Sequence, residues 1–116
     1  MKANDCVFCK IVAGIIPSTK IFENEKVLAF KDLQPSATYH YLFVHKNHTT
    51  DVNDMMLADP SQVSDIYSAI REVTQKEGMD KKGFRVVTNT GPHAGQTVFH
   101  THFHLLSGEQ LRGFGR

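Results

Sequence analysis

Residues 98–106 read Val98-Phe99-His100-Thr101-His102-Phe103-His104-Leu105-Leu106. Branched and aromatic residues alternating with imidazoles predict a strand. On a strand alternate side chains share a face, so His100, His102 and His104 point one way and Phe99, Thr101, Phe103 and Leu105 the other. Same-face neighbours lie about 6.6 Å apart along a strand. Three imidazoles so spaced line a small substrate, but they reach one metal ion only if the strand bends. Gly95-Gln96-Thr97 stands just upstream, and glycine-flexed backbone amides with a hydroxyl beside a row of imidazoles suit a phosphate. Three readings stand side by side at this point: surface imidazoles alternating with core phenylalanines, a metal site using His-x-His, and a nucleophilic phosphoryl site.

Working outward, residues 84–89 predict a strand and residues 90–95 a Gly/Pro loop leading to the histidines. Asp59-Pro60-Ser61-Gln62 is a helix start, with Asp as N-cap, Pro at the first position and Gln three residues after the cap. Val63, Ile66, Tyr67, Ile70 and Val73 then form one stripe of a long helix that Gly78 ends. Residues 40–45 predict a central strand, residues 32–36 a turn, and residues 19–22 and 27–30 a hairpin. Val7, Phe8, Ile11 and Val12 have the spacing of a short helix closed by Gly14 and Pro17. Strands joined mostly by short turns predict an α+β fold: an antiparallel sheet of about five strands with one long and one short helix.

The chain has 116 residues, 41% hydrophobic and 22% charged, which predicts a single globular domain over 1–116. Thirteen Lys+Arg against twelve Asp+Glu leave a net charge of +1, so there is no overall electrostatic footprint for nucleic acid or an anionic membrane. No run of 18 or more apolar residues would span a bilayer, and the start of the chain lacks a signal-peptide core. A cytoplasmic setting is the expectation. Cys6 and Cys9, the only cysteines, read as half a metal site or a redox pair, or as two reduced thiols packing as small apolar groups. Seven histidines are present, four of them (His93, His100, His102, His104) within twelve positions.

The run from Gly95 to Leu106 resembles the signature of the histidine triad (HIT) family, His-φ-His-φ-His-φ-φ with φ apolar, departing only at Thr101. The likeness extends over Lys10-Ile11, Ile15 to Ser18, the Phe30 to Pro35 turn, Val44 to His48 and Val86 to Asn89. These look like the Hint branch of purine nucleoside phosphoramidases. Ser107 and the short tail from Gln110 to Arg116 depart from that branch, and the tail helps shape leaving-group preference in the family.

The resemblance implies a hydrolase or transferase that cleaves the P–N bond of adenosine-type 5'-phosphoramidates through a nucleotidyl-histidine. In that reading His102 is the nucleophile, His104 contacts the non-bridging phosphate oxygens, and Thr97 bonds the phosphate or the leaving group. Asn89 lies at the edge of the phosphate site, Gly95, Gln96 and the Val98 amide form a phosphate loop, and Asp32 accepts both ribose hydroxyls. Phe8, Ile11, Phe30 and Leu33 match apolar walls around the base, with ordinary core packing as the alternative. The chemistry is expected to need no magnesium. Several family members with the N-terminal cysteine pair bind structural zinc, and the resemblance implies Cys6, Cys9, His48 and His100 as the matching set here. His40 and His93 receive no chemistry, and His45 is expected to be a solvated surface residue. The resemblance also implies a homodimer that continues the sheet, with a purine nucleotide as small-molecule partner. A dinucleoside polyphosphate hydrolase and a non-catalytic nucleotide-binding scaffold are the competing functions.

Overall fold

The computed structural model describes residues 5–113. Helix α1 (Val7–Val12) precedes the hairpin β1 (Lys20–Glu23) and β2 (Val27–Lys31), then β3 (Tyr39–His45). Helices α2 (Val52–Ala58), α3 (Ser61–Lys76) and α4 (Met79–Lys82) follow, then β4 (Phe84–Val87) and β5 (His102–Ser107). The five strands form one antiparallel sheet in the order β1-β2-β3-β5-β4. The α+β architecture is as expected, with two more helices than the sequence suggested. Among the described residues no helix is long and apolar enough to cross a membrane.

Period-two alternation sorts the strands onto two cores. Val27, Ala29, Tyr41, Phe43, Phe103 and Leu105 face the helices, against Met55 of α2, Ile66, Ala69, Ile70 and Val73 of α3, and Met79 of α4. The intervening residues Leu28, Phe30, Leu42 and Val44 face the other way, onto Cys6 and Phe8. Each large apolar side chain so buried contributes about 1.5–3 kcal/mol. The sheet register opposes Leu42 to His104 and Val44 to His102. Both histidines therefore lie on the α1 face, over apolar ground.

The ends of the elements have local causes. Asp59 caps α3, its carboxylate accepting from the Ser61 backbone N–H (3.0 Å) and hydroxyl (2.8 Å). The stripe on α3 is buried at Ile66, Ile70 and Val73, while Tyr67 lies half-exposed with its ring edge-on to Phe103. Gly78, at φ +75°, takes the left-handed turn that separates α3 from α4. Helix α2 was not expected. Asp51 caps it by accepting from Asp54 N–H at 2.9 Å, but Met55 is its one buried residue, so no apolar stripe marks it.

The strand predicted over 98–106 begins only at His102. Residues 96–101 are instead fixed by side chains. Gln96 is buried; its Oε1 accepts from Gly91 N–H (2.9 Å) and its Nε2 donates to the carbonyls of Thr50 (2.8 Å) and Val98 (3.1 Å). Thr101 N–H donates to the Thr49 carbonyl (2.8 Å), and the two buried threonine hydroxyls meet at 2.6 Å. That pairing accounts for a hydroxyl at a slot where an apolar residue was expected. Strand β4 stops at Val87, not at Asn89, because its ladder ends opposite His104; the Thr88 hydroxyl then donates to the His102 carbonyl (2.8 Å). The shared-face argument therefore covers His102 and His104 but not His100.

Candidate active site and metal corner

His100 is fully buried and turned toward the N-terminal cysteines. Its Nδ1 lies 3.4 Å from the Sγ of both Cys6 and Cys9 and 3.2 Å from Nδ1 of His48, which is itself 3.3 Å from Cys9 Sγ. One ligand atom from each of the four lies within 4.8 Å of the others. A tetrahedral zinc with bonds of about 2.3 Å to sulfur and about 2.05 Å to nitrogen separates S from N by about 3.5 Å and N from N by about 3.3 Å. The observed spacings match the edges of that tetrahedron. Two ring nitrogens facing each other at 3.2 Å also suit a shared cation better than a shared proton. His100 Nε2 donates to the His45 carbonyl (3.0 Å), which leaves its Nδ1 as the lone-pair nitrogen. Burial, reinforced by Cys6, pushes the Cys9 thiol up to about 11. A bound divalent cation reverses that preference by favouring the thiolate. The four residues fit zinc in donor type and geometry.

Two residues further on, His102 Nδ1–H donates to the His100 carbonyl at 2.7 Å. A carbonyl can only accept, so the proton of the neutral ring sits on Nδ1 and the Nε2 lone pair is free. Burial holds His102 below the usual histidine range, against the opposing pull of the carbonyl and Asp32. His104 is lowered to about 4, first by burial and then by His102 and His40. Burial thus favours the neutral form of both rings. The His102 ring lies 5.1 Å from that of His104 and edge-on to Phe8, also at 5.1 Å.

These histidines open into a cavity of about 330 Å³ whose walls include Phe8, Ile11, Phe30, Leu33, Leu42 and Val98, with Asp32 and Thr97 at its polar side. Leu33 is 94% exposed, so it borders the mouth and does not belong to the core. Asp32 uses one carboxylate oxygen to accept from Gln34 N–H at 2.8 Å. Asn89 lies apart, in a neighbouring cleft of about 210 Å³ that His104 also lines. The amides of Gly95 and Gln96 donate within their own turn, to the carbonyls of Pro92 (3.0 Å) and Gly91 (3.1 Å), and neither residue lines the cavity. A larger groove of about 460 Å³ along β1 and α3 is lined by Ile21, Phe22, Glu72, Val73, Gln75, Lys76 and Glu77, without histidine or cysteine.

Two of the three histidines left without chemistry prove to be structural. His45 is buried, not solvated: its Nε2 meets Asp65 at 3.0 Å and its Nδ1 accepts from Asn47 N–H at 3.1 Å. His40 is also buried, with its Nε2 at 2.8 Å from His104 Nδ1. Neither contact has a local signature, because the partners are 20 and 64 residues away. His93 lies exposed on the short 3-10 turn Pro92–Ala94.

Comparison with known proteins agrees with this geometry. The model of the HIT domain matches residues 13–111. An HIT-like protein of Rickettsia prowazekii is 38% identical over 108 residues, covering 92% of this chain and 90% of that protein. The purine nucleoside phosphoramidase of Escherichia coli K12 is 32% identical over 109 residues, covering 94% and 92%. The solved histidine triad protein from Clostridium difficile superposes with a TM-score of 0.93 at 44% identity, over 98% of this chain and 99% of that one. The triad run, the sheet that carries it and these matches together place the chain in the HIT domain family.

Proposed function

We propose that this protein is a hydrolase that cleaves the P–N bond of purine nucleoside 5'-phosphoramidates through a nucleotidyl-histidine. The observation that carries the proposal is the 2.7 Å bond from His102 Nδ1 to the His100 carbonyl, which leaves a neutral, aimed lone pair beside an apolar cavity. His102 Nε2 attacks the α-phosphorus. A P–N bond to the imidazole forms as the substrate's P–N bond breaks, and the amine departs after taking up a proton. Water then attacks the same phosphorus, releasing the nucleoside monophosphate and the imidazole. Positioning and charge stabilisation carry both steps. The likeness to the Escherichia coli phosphoramidase supports the choice of substrate class.

The remaining roles are carried over from the resemblance to the histidine triad family, and the lining of the cavity supports them. His104 bonds the non-bridging oxygens, and Thr97 bonds the phosphate or the leaving group. Asp32 accepts the ribose hydroxyls, as a carboxylate does well. Phe8, Ile11, Phe30 and Leu33 enclose the base. Val98 offers its amide to the phosphate, Gly95 and Gln96 set the shape of that loop, and Asn89 bounds it from the neighbouring cleft. Zinc on Cys6, Cys9, His48 and His100 supplies a structural cross-link. It ties the start of α1 to the segments that follow β3 and precede β5. The thiols must be reduced for this, which accords with a cytoplasmic protein. A homodimer accounts for the edge strand β4, where Phe84 is 40% exposed.

Replacing His102→Ala is expected to cut turnover of adenosine 5'-phosphoramidate by roughly 10³-fold or more while AMP affinity changes by less than about threefold. Wild-type protein that binds AMP yet consumes neither phosphoramidates nor diadenosine polyphosphates would instead be a binding module. Elemental analysis of protein purified without chelator should find one zinc per chain, and a chelator should lower the thermal midpoint. Metal content near zero after zinc supplementation counts against the site. Light scattering should give a mass of about 26 kDa, twice the 13.1 kDa chain. A mass near that of one chain rules the dimer out.

A further inference from the structure

Cys6 and Cys9 stand at the N-cap and in the first turn of α1, and both are free thiols. They differ in access: Cys6 is fully buried, whereas Cys9 is only partly so. One turn holds both sulfurs, the Cys9 backbone N–H donating to Cys6 Sγ at 3.4 Å. Both belong to the set whose ligand atoms lie within 4.8 Å of one another. The pair therefore has two mutually exclusive arrangements. Around a tetrahedral zinc two thiolate sulfurs sit about 3.8 Å apart. In a disulfide they sit about 2.05 Å apart, and neither is an anionic ligand any longer. Forming that bond draws the sulfurs off the 3.4 Å edges that each now makes with His100 Nδ1.

We propose that Cys9 is a site of reversible oxidation by hydrogen peroxide, with Cys6 as the resolving thiol, and that the disulfide so formed releases the zinc and misaligns His102. Metal ligation holds the sulfurs as thiolates, the nucleophilic form. Cys9 Sγ, the accessible one, attacks a peroxide oxygen. An S–O bond forms, the O–O bond breaks, and the departing hydroxide takes up a proton. Cys6 Sγ then attacks Cys9 Sγ; the S–S bond forms as the S–O bond breaks, and a second hydroxide leaves as water. Two thiolates are oxidised to one disulfide, and the peroxide is reduced to two waters.

The link to the active site runs through one peptide plane. The His100 carbonyl accepts from His102 Nδ1–H at 2.7 Å, and the N–H of the same peptide, at Thr101, donates to the Thr49 carbonyl at 2.8 Å. His100 and His48, whose side chains adjoin these two groups, both belong to the cluster. His48 Nε2 is buried without a hydrogen-bond partner among the described residues, so the cluster supplies that ring's polar anchor. With the thiols bonded to each other, His48 keeps no polar contact but His100, and the plane that aims His102 gains freedom. His100 acts here as a positioning residue. The thiol chemistry stands by itself; the loss of turnover rests on the phosphoramidase reading.

The test treats reduced, zinc-supplemented protein with excess hydrogen peroxide at pH 7.5, following zinc with a chromogenic chelator and the thiols by mass spectrometry. Zinc and disulfide should appear one for one, the peptide holding Cys6 and Cys9 becoming two hydrogens lighter. A sulfenate trap should label Cys9 in Cys6→Ser and leave Cys6 unlabelled in Cys9→Ser. ¹⁵N NMR should show His102 protonated on Nδ1 in the reduced protein and a mixture of tautomers after oxidation. The kcat for adenosine 5'-phosphoramidate should fall roughly 10- to 100-fold, and dithiothreitol with zinc should restore both spectrum and rate. Zinc never taken up, zinc retained through the peroxide, a sulfinic acid in place of the disulfide, or an unchanged His102 spectrum in the disulfide form overturns the proposal. If zinc release, disulfide and the His102 change all occur but the reduced protein consumes no phosphoramidate, the assigned reaction fails and the oxidation site stands.

Discussion

The chain leaves the sheet between His100 and His102, and the site depends on that departure. While residues 102–107 pair with β3, His100 has turned its ring to the cysteines and its carbonyl to the next histidine. A continuous strand would set three imidazoles in a row at about 6.6 Å spacing, with no backbone carbonyl free to accept from the middle ring. The break divides the triad into one ring facing the cysteines and two rings facing the cavity. It also links them, because the residue whose ring joins the candidate metal cluster offers its carbonyl to the proposed nucleophile.

That departure is itself held by polar groups inside the fold. Gln96 binds three backbone groups of two neighbouring segments, and Thr101 binds Thr49 by both backbone and hydroxyl. Each such group, once buried, costs about 1–3 kcal/mol if left unpaired, so the segment has little freedom to rejoin the ladder. The apolar layer beneath supplies the low dielectric in which His102 and His104 stay neutral. Packing, tautomer and protonation state are thus one arrangement seen at three levels.

The sequence was informative where structure is local. The Asp59 cap, the α3 stripe, the hairpin of β1 and β2, the central strand β3 and the alternation of β5 could be read because each depends on neighbours within about four residues. The cluster of Cys6, Cys9, His48 and His100 came from family resemblance; spacing alone offered only half a site. What escaped were contacts set by register and by long-range side-chain bonds. His40 meets His104 through a diagonal of two strands, His45 meets Asp65 across to α3, and Gln96 displaces a strand that its composition favours. Helix α2 escaped for the opposite reason, having a cap but almost no buried face.

The central claim is that His102 forms the bond to phosphorus. Rapid quenching of wild-type protein during turnover of adenosine 5'-phosphoramidate, followed by mass spectrometry of the peptides under alkaline conditions, tests it directly. The account predicts an adenylyl mass increment on the peptide carrying His102, with fragmentation locating it on that residue. Turnover without any adduct, or an adduct on His104 in its place, would contradict it.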